Sequence, residues 1–141
     1  MTRDEIEQFF AKRNSAWNRH DIVALTADHC EDGEVDSPLW GHVRRRAAIQ
    51  EIYENWFSSF PDAQFSTESI LIDGDRAVQL GKMMGIQKGF FCGLQPTGKR
   101  FTINCAFLFL FAESKIAYEK RIYDFTGMLL QLGLLQAKPA F

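Results

Sequence analysis

"RRAAIQEIYENWFSSFPDAQFSTESILID" (Arg45 to Asp73) holds the change of period on which the fold turns. In its first half Ile49, Ile52, Tyr53, Trp56, Phe57 and Phe60 follow the i, i+3, i+4, i+7 spacing of an amphipathic helix. Pro61 stops that helix. The second half, "AQFSTESILID", alternates with a period of two and reads as a strand that ends in a turn at "DGD".

The same two periods sort the rest of the chain. "TRDEIEQFFAKRNSAWNRHD" predicts a helix, with Thr2 as its cap and Glu5 completing a capping box. Ile6, Phe9, Phe10 and Trp17 lie near one face, and Arg13 interrupts that stripe. "DIVALTADHC" predicts a short second helix capped by Asp21. "EDGEVDSPLWG" has turn signals around a short strand, "EVDS", which Pro38 ends. Downstream, "RAVQLGKMMGIQKGFF", "RFTINCAFLFLF" and "KIAYEKRIYDF" are further strands, and "TGMLLQLGLL" closes as a helical turn. Helices followed by antiparallel-looking strands predict one α+β domain over residues 1–141. A curved sheet would wrap the third helix and leave a cavity between the layers.

Composition narrows the function. Thirteen Phe and three Trp can line a pocket for an apolar ligand as well as fill a core. A formal net charge of −2 argues against a general nucleic-acid binder. The basic run "VRRR" (Val43 to Arg46) reads as a helix start with a solvated face. Cys30, Cys92 and Cys105 are odd in number and form no CxxC pair, which predicts reduced thiols. "MTRDEIEQFF" lacks a signal-peptide pattern and "INCAFLFLF" is too short for a membrane helix, so the expected location is the cytoplasm.

Several motifs fail on inspection. "GLQPTGKR" nearly matches a P-loop, but Arg100 stands where Ser/Thr must bind magnesium and a strand follows, not a helix. "DHCEDGEVD" fits neither a zinc spacing nor an EF-hand, so no metal site is expected. His20, His29 and His42 sit near element ends and suggest no triad. Asp124 remains, an acid among Ile122, Tyr123 and Phe125. Strand alternation puts Lys120, Ile122 and Asp124 on one face and Glu119, Arg121 and Tyr123 on the other. Either Asp124 faces the cavity as a proton-transfer group, or it caps the turn that follows or pairs with Arg121 or Lys120.

"KIAYEKRIYDFTGMLLQLG" resembles the closing signature of the SnoaL-like polyketide cyclases, in the nuclear transport factor 2-like superfamily. "DSPLWG", "WFSSFPD", "LIDGDRAV" and "GLQPTGKRF" agree with it in order and spacing. The resemblance implies an α+β cone of three N-terminal helices on a curved antiparallel sheet, with a largely apolar pocket. It also implies a homodimer formed through the sheets, and ring closure by intramolecular aldol condensation without cofactor or metal. Under it Asp124 is the general acid/base; where relatives tend to carry a His or similar polar partner, the third strand here offers Thr102, Asn104 and Cys105, and Asn104 is the residue expected to orient the substrate or polarise its carbonyl. Asp36, in "DSP" where relatives often carry His before Pro, would share the pocket and raise one carboxyl pKa by repulsion. Trp40, Tyr53, Trp56, Met84 and Phe91 are the candidate walls around a hydrophobic, carbonyl-bearing ligand. Isomerisation, hydrolysis, help to a hydroxylation, and ligand binding or dimerisation alone are the rival uses of such a pocket.

Overall fold

The computed structural model describes residues 1–136. In chain order its elements are α1 (Arg3–Asn18), α2 (Ile22–Ala27), β1 (His29–Ser37), β2 (Gly41–Arg44), α3 (Arg46–Ser59), β3 (Gln64–Asp73), β4 (Arg76–Ile86), β5 (Arg100–Ala112), β6 (Lys115–Tyr123) and α4 (Phe125–Gln131). The period change in the opening stretch falls in the α3–β3 connection, where Phe60 caps the helix and Pro61 follows. Thr2 and Glu5 form the expected capping box on α1, and Asp21 caps α2 through the Ala24 amide.

Six strands form one sheet in the order β2-β1-β6-β5-β4-β3. Two features depart from the sequence expectation. The β1–β6 pair is parallel, because helix α3 and four strands separate β1 from the last strand it joins. Half of the "VRRR" run is an edge strand: Val43 and Arg44 pair with Val35 and Glu34 in β2. A four-residue edge strand with only one apolar side chain carries no periodic signal to read. Helix α3 starts after Arg45, whose φ is 76°, and has no side-chain cap.

The sheet is two-sided. On β5, Phe101, Ile103, Cys105, Phe107, Phe109 and Phe111 are buried, while the residues between them are half-buried or exposed. Their rings meet the helices edge to face, as in Phe10–Phe109 at 5.0 Å and Phe9–Phe111 at 5.1 Å. Curvature is built into β3 and β4. The register of that pair slips between Thr67 and Ser69, opposite Gly81. A Cβ on Gly81 would collide with the Ser66 carbonyl and the Phe65 ring. The β4–β5 loop is organised by Gln87, fully buried, whose amide donates to the Gly89, Leu94 and Gln95 carbonyls and accepts from Thr97. The near P-loop therefore lies within an irregular hairpin connection.

Candidate functional site

Cross-strand neighbours share a face, so the buried side of β5 fixes what β6 turns inward. Cys105 pairs with Tyr123, Phe107 with Arg121 and Phe109 with Glu119. The inward set of β6 is thus Glu119, Arg121 and Tyr123, and the outward set is Lys120 and Ile122, with Asp124 just past the end of the strand. These three inward residues line an interior cavity with Arg13, Asn14 and Trp17 of α1, Ile52, Tyr53 and Trp56 of α3, Trp40, and Phe65, Gln79, Met83 and Phe107 of the sheet. The space open to the centre of a water-sized sphere is about 40 Å³. That is room for a few waters, since one water needs roughly 10–15 Å³ on this measure.

One end of the cavity is charged. Glu119 is 1% exposed, and Arg121 grips it with two bonds, Nε to Oε2 at 2.9 Å and Nη2 to Oε1 at 3.1 Å. Arg13, 4% exposed, approaches the same carboxylate at 3.6 Å and reaches Asp28 at 3.4 Å. Tyr53 Oη accepts from Arg13 Nη2 at 2.7 Å and from Arg121 Nη2 at 3.2 Å. With both lone pairs so engaged, its proton points to His29 Nε2, 2.8 Å away. The other ring nitrogen of His29, Nδ1, is buried without a partner among the described residues.

The charges set the protonation. Burial pushes the Glu119 carboxyl up, but Arg121 and then Arg13 outweigh it and hold it down to about 2. Burial, and next the Arg13 charge, lowers His29 to about 3, so its ring is neutral at ordinary pH. Burial opposes the charge on both arginines, yet each is raised by the oxygens around it, Glu119 foremost for Arg121 and Tyr53 then Glu119 for Arg13. The Asp28 carboxyl is raised, unlike that of Glu119, because its burial outweighs Arg13.

Hydrogen-bond donors remain unused at this cavity. The indole Nε1 atoms of Trp40 and Trp56 are buried and have no partner among the described residues. Both indoles line the cavity. Arg121 Nη1 likewise has no bond to a described residue, its other two nitrogens being committed to Glu119 and Tyr53. Arg121 Nη1 is not among the sealed atoms and can meet a ligand oxygen, whereas the two indole donors are sealed in the closed cavity and become available only if its walls part.

The expected site residues divide sharply. Trp40, Tyr53 and Trp56 line the cavity. Phe91 is buried behind Trp56, 5.9 Å ring to ring, and does not line it. Met84 is turned outward, because β4 alternates and Met83 takes the inner position. Asn104 is exposed on the outer face of β5, opposite Lys82. Asp36 is also outside, bound by Tyr118 Oη at 2.6 Å and His42 Nδ1 at 2.8 Å. Its carboxyl is lowered by the Tyr118 bond and then by His42, opposite to the rise expected from a shared pocket.

Asp124 caps α4. Its Oδ1 accepts the Gly127 amide at 2.9 Å, and the side chain is exposed. It borders a shallow outer depression with Asn104 and Ile122, not the interior cavity. Of the two readings left open by the sequence, the capping geometry is the one found. Arg13, His29, Glu119 and Arg121 were not foreseen as site residues. One signal for them was in view: an arginine breaking the apolar face of the first helix is buried in the fold and must meet a counter-charge.

Among the described residues no group of three or more His, Cys, Asp or Glu side chains could hold a metal ion. No helix is long and apolar enough to cross a membrane.

A model of the SnoaL-like polyketide cyclases matches residues 8–132. AclR, a proposed hydroxylase of Streptomyces galilaeus, superposes with a TM-score of 0.84 at 24% identity, over 96% of this chain and 100% of that one. TsrD of Streptomyces laurentii gives 0.84 at 23%, over 96% and 99%. IdmH, a proposed polyketide cyclase of Streptomyces antibioticus, gives 0.77 at 21%, over 90% and 97%. At these identities the likeness is one of fold. No curated protein matches the chain. With the cone, its interior cavity and the family model in agreement over most of its length, the chain belongs to the SnoaL-like polyketide cyclase family.

Proposed function

We propose that this protein enolises an apolar small molecule carrying an activated carbonyl, the acid/base step of a ring closure, inside the cavity bounded by Tyr53, Trp56 and Arg121. The observation that carries this reading is Arg121 Nη1, without a bond to a described residue at the charged end of a cavity walled by aromatic rings, with two further unpaired donors, the indole N–H groups of Trp40 and Trp56, sealed within those walls in the closed form. Such donors favour the negative charge that develops on a carbonyl oxygen as its neighbouring carbon loses a proton.

In this mechanism Arg121 Nη2 turns from Tyr53 Oη, where its bond is the longer of the two, to the substrate carbonyl oxygen, and the substrate C–H bond breaks as its proton passes to the lone pair so freed on Oη. The phenolic proton moves at the same time to His29 Nε2, and the C–H electron pair settles on the carbonyl oxygen. The resulting imidazolium is a strong acid, since burial and Arg13 disfavour its charge, and it returns the proton readily. The enolate carbon then attacks a second carbonyl of the same molecule, held close by the walls, and Tyr53 gives a proton to the alkoxide so formed while His29 returns its proton to Tyr53. Glu119 is the fixed counter-charge of both arginines. A ring-sized substrate enters by outward movement of the turn bearing Trp40, because the closed cavity holds only a few waters.

Ethyl benzoylacetate in D₂O at pH 5, followed by NMR, tests the reading. Wild-type protein is expected to accelerate α-proton exchange over buffer. The enzymatic rate constant should stay level from pH 5 to 7, because His29 titrates only near 3. Quenching of tryptophan fluorescence without any acceleration would leave a binding module in place of an enzyme.

We also propose a homodimer built on the outer face of the sheet. Support comes from an apolar band in one register, Leu80, Ala106 and Ile122, flanked by Leu108 and Leu110. Ile122 is 54% exposed and Leu71 57%, more apolar surface than an isolated chain keeps without reason. Light scattering should give twice the chain mass of 16.2 kDa. Leu108→Glu should give the single mass, and a wild-type monomer would contradict the proposal.

A further inference from the structure

We propose that the cavity selects a planar molecule with a carbonyl or carboxylate oxygen at one end and a hydroxyl group at the other, the hydroxyl being received by Gln79 Oε1. This rests on the reading of the same cavity given above. That reading accounts for the donors beside Arg121 but leaves a second polar group, on the opposite side of the floor, without a task.

Gln79 and Arg121 both pair with Phe107, one from each side. The three form a single row across the inner face, and two strand spacings put the outer members about 10 Å apart at the backbone. Phe107 between them is buried and stacks on Phe65 with centroids 5.5 Å apart and planes at 27°. The floor of the cavity is therefore a flat aromatic surface with a guanidinium at one margin and an amide at the other.

The amide is oriented. Gln79 Nε2 donates to Asn14 Oδ1 at 2.8 Å and to Thr67 Oγ1 at 2.9 Å. Asn14 Nδ2 donates to the same Thr67 oxygen at 2.9 Å. Both amide hydrogens of Gln79 are thus used, and its carbonyl oxygen is turned away from the network. Among the described residues nothing donates to Oε1, although Gln79 is only 3% exposed. It is not among the sealed orphan atoms, so it keeps an open side, and Gln79 lines the cavity. Fixing a buried acceptor with three hydrogen bonds is unnecessary for packing, where a methionine would serve. It suits recognition of a ligand O–H. Since the margin at Arg121 offers donors and the margin at Gln79 an acceptor, the two ends of the ligand are told apart.

The three tryptophans of the chain, Trp17, Trp40 and Trp56, all line this cavity, so intrinsic fluorescence reports on it directly. The probes are 4′-hydroxyacetophenone and acetophenone, which differ by the one hydroxyl. Wild-type protein is expected to bind the hydroxylated ketone about tenfold more tightly or better, the usual consequence of satisfying a buried acceptor. In Gln79→Met the ratio of the two dissociation constants should fall to near one. Thr67→Val, which removes the hydroxyl that orients the amide, should shrink the ratio, and Thr67→Ser should restore it. A ratio near one in the wild type, or an undiminished ratio in both Gln79→Met and Thr67→Val, overturns the proposal while leaving the carbonyl site standing. If neither ketone quenches the fluorescence, the carbonyl site falls as well.

Discussion

Glu119→Gln is expected to destabilise the domain by about 3–5 kcal/mol, enough to leave much of it unfolded at ordinary stabilities. Glu119 is 1% exposed and is the counter-charge that Arg121 grips with two hydrogen bonds and Arg13 approaches at 3.6 Å. Without it two guanidiniums remain in the interior, with Asp28 reaching only Arg13. The amide keeps the shape and one acceptor oxygen but removes the charge, so the loss is electrostatic and not a packing defect. Chemical denaturation read by circular dichroism measures it. A Glu119→Gln protein as stable as the wild type would mean that the cluster is not a coupled unit.

Acid should act on the same cluster. Glu119 titrates near 2 in the folded protein against an ordinary value of 4.5, so its contribution is complete above about 4.5 and fades as pH falls toward 2. His29 titrates near 3 against 6.5. The unfolded chain binds that proton first, so stability is full above about 6.5 and declines as pH falls to 3. Both groups bind more protons when unfolded, and their effects add in one direction. The melting temperature should start to drop below pH 6.5, before any ordinary carboxylate protonates. His29→Gln should flatten that upper part of the curve. The total effect is on the order of a few kcal/mol, partly offset by Asp28, whose carboxyl burial raises.

What the sequence could and could not show follows from the physics of each element. The helix at Ile49–Phe60 and the strands from Gln64 onward bury one face each, so their periods were legible and the cone followed. Strand β2 buries almost nothing and left no pattern. Alternation sorted β6 correctly into Lys120 and Ile122 against Glu119, Arg121 and Tyr123, with Asp124 just past its end. It could not say which set faced in, because both sets contain charges and the decision rests on pairing with β5. The apolar neighbours of Asp124 suggested burial for the acid, yet a carboxylate next to the first turn of a helix is satisfied there by a backbone amide. Met83 and Met84 are adjacent in sequence and opposite in space, so a single step of register separates a wall residue from an outer one. Arg13, His29 and Glu119 come from three elements, and only the folded chain brings them together around Tyr53.

Tyr53→Phe is expected to lower the rate of enolisation about 100-fold or more, the usual scale for removing a proton-transfer group. The phenol oxygen is the point where Arg13, Arg121 and His29 converge. The change deletes one atom and leaves the ring, which packs against His29 at 5.9 Å. Three partners lose a hydrogen bond, so some stability is lost too, about 1–3 kcal/mol. The folded fraction must therefore be measured alongside the rate. Fluorescence quenching by ethyl benzoylacetate should persist, because the indole walls and Arg121 remain. A loss of rate with binding retained assigns Tyr53 to the chemical step and not to the walls.

The most direct test of where the chemistry resides compares Tyr53→Phe with Asp124→Asn in the ethyl benzoylacetate exchange assay. Asp124→Asn keeps a cap on α4, Asn being as good a cap as Asp, and lies outside the cavity. Its exchange rate should stay within about twofold of wild type while Tyr53→Phe loses about 100-fold. A collapse of exchange in folded Asp124→Asn, with Tyr53→Phe near wild type, would contradict the account and return the acid/base role to Asp124.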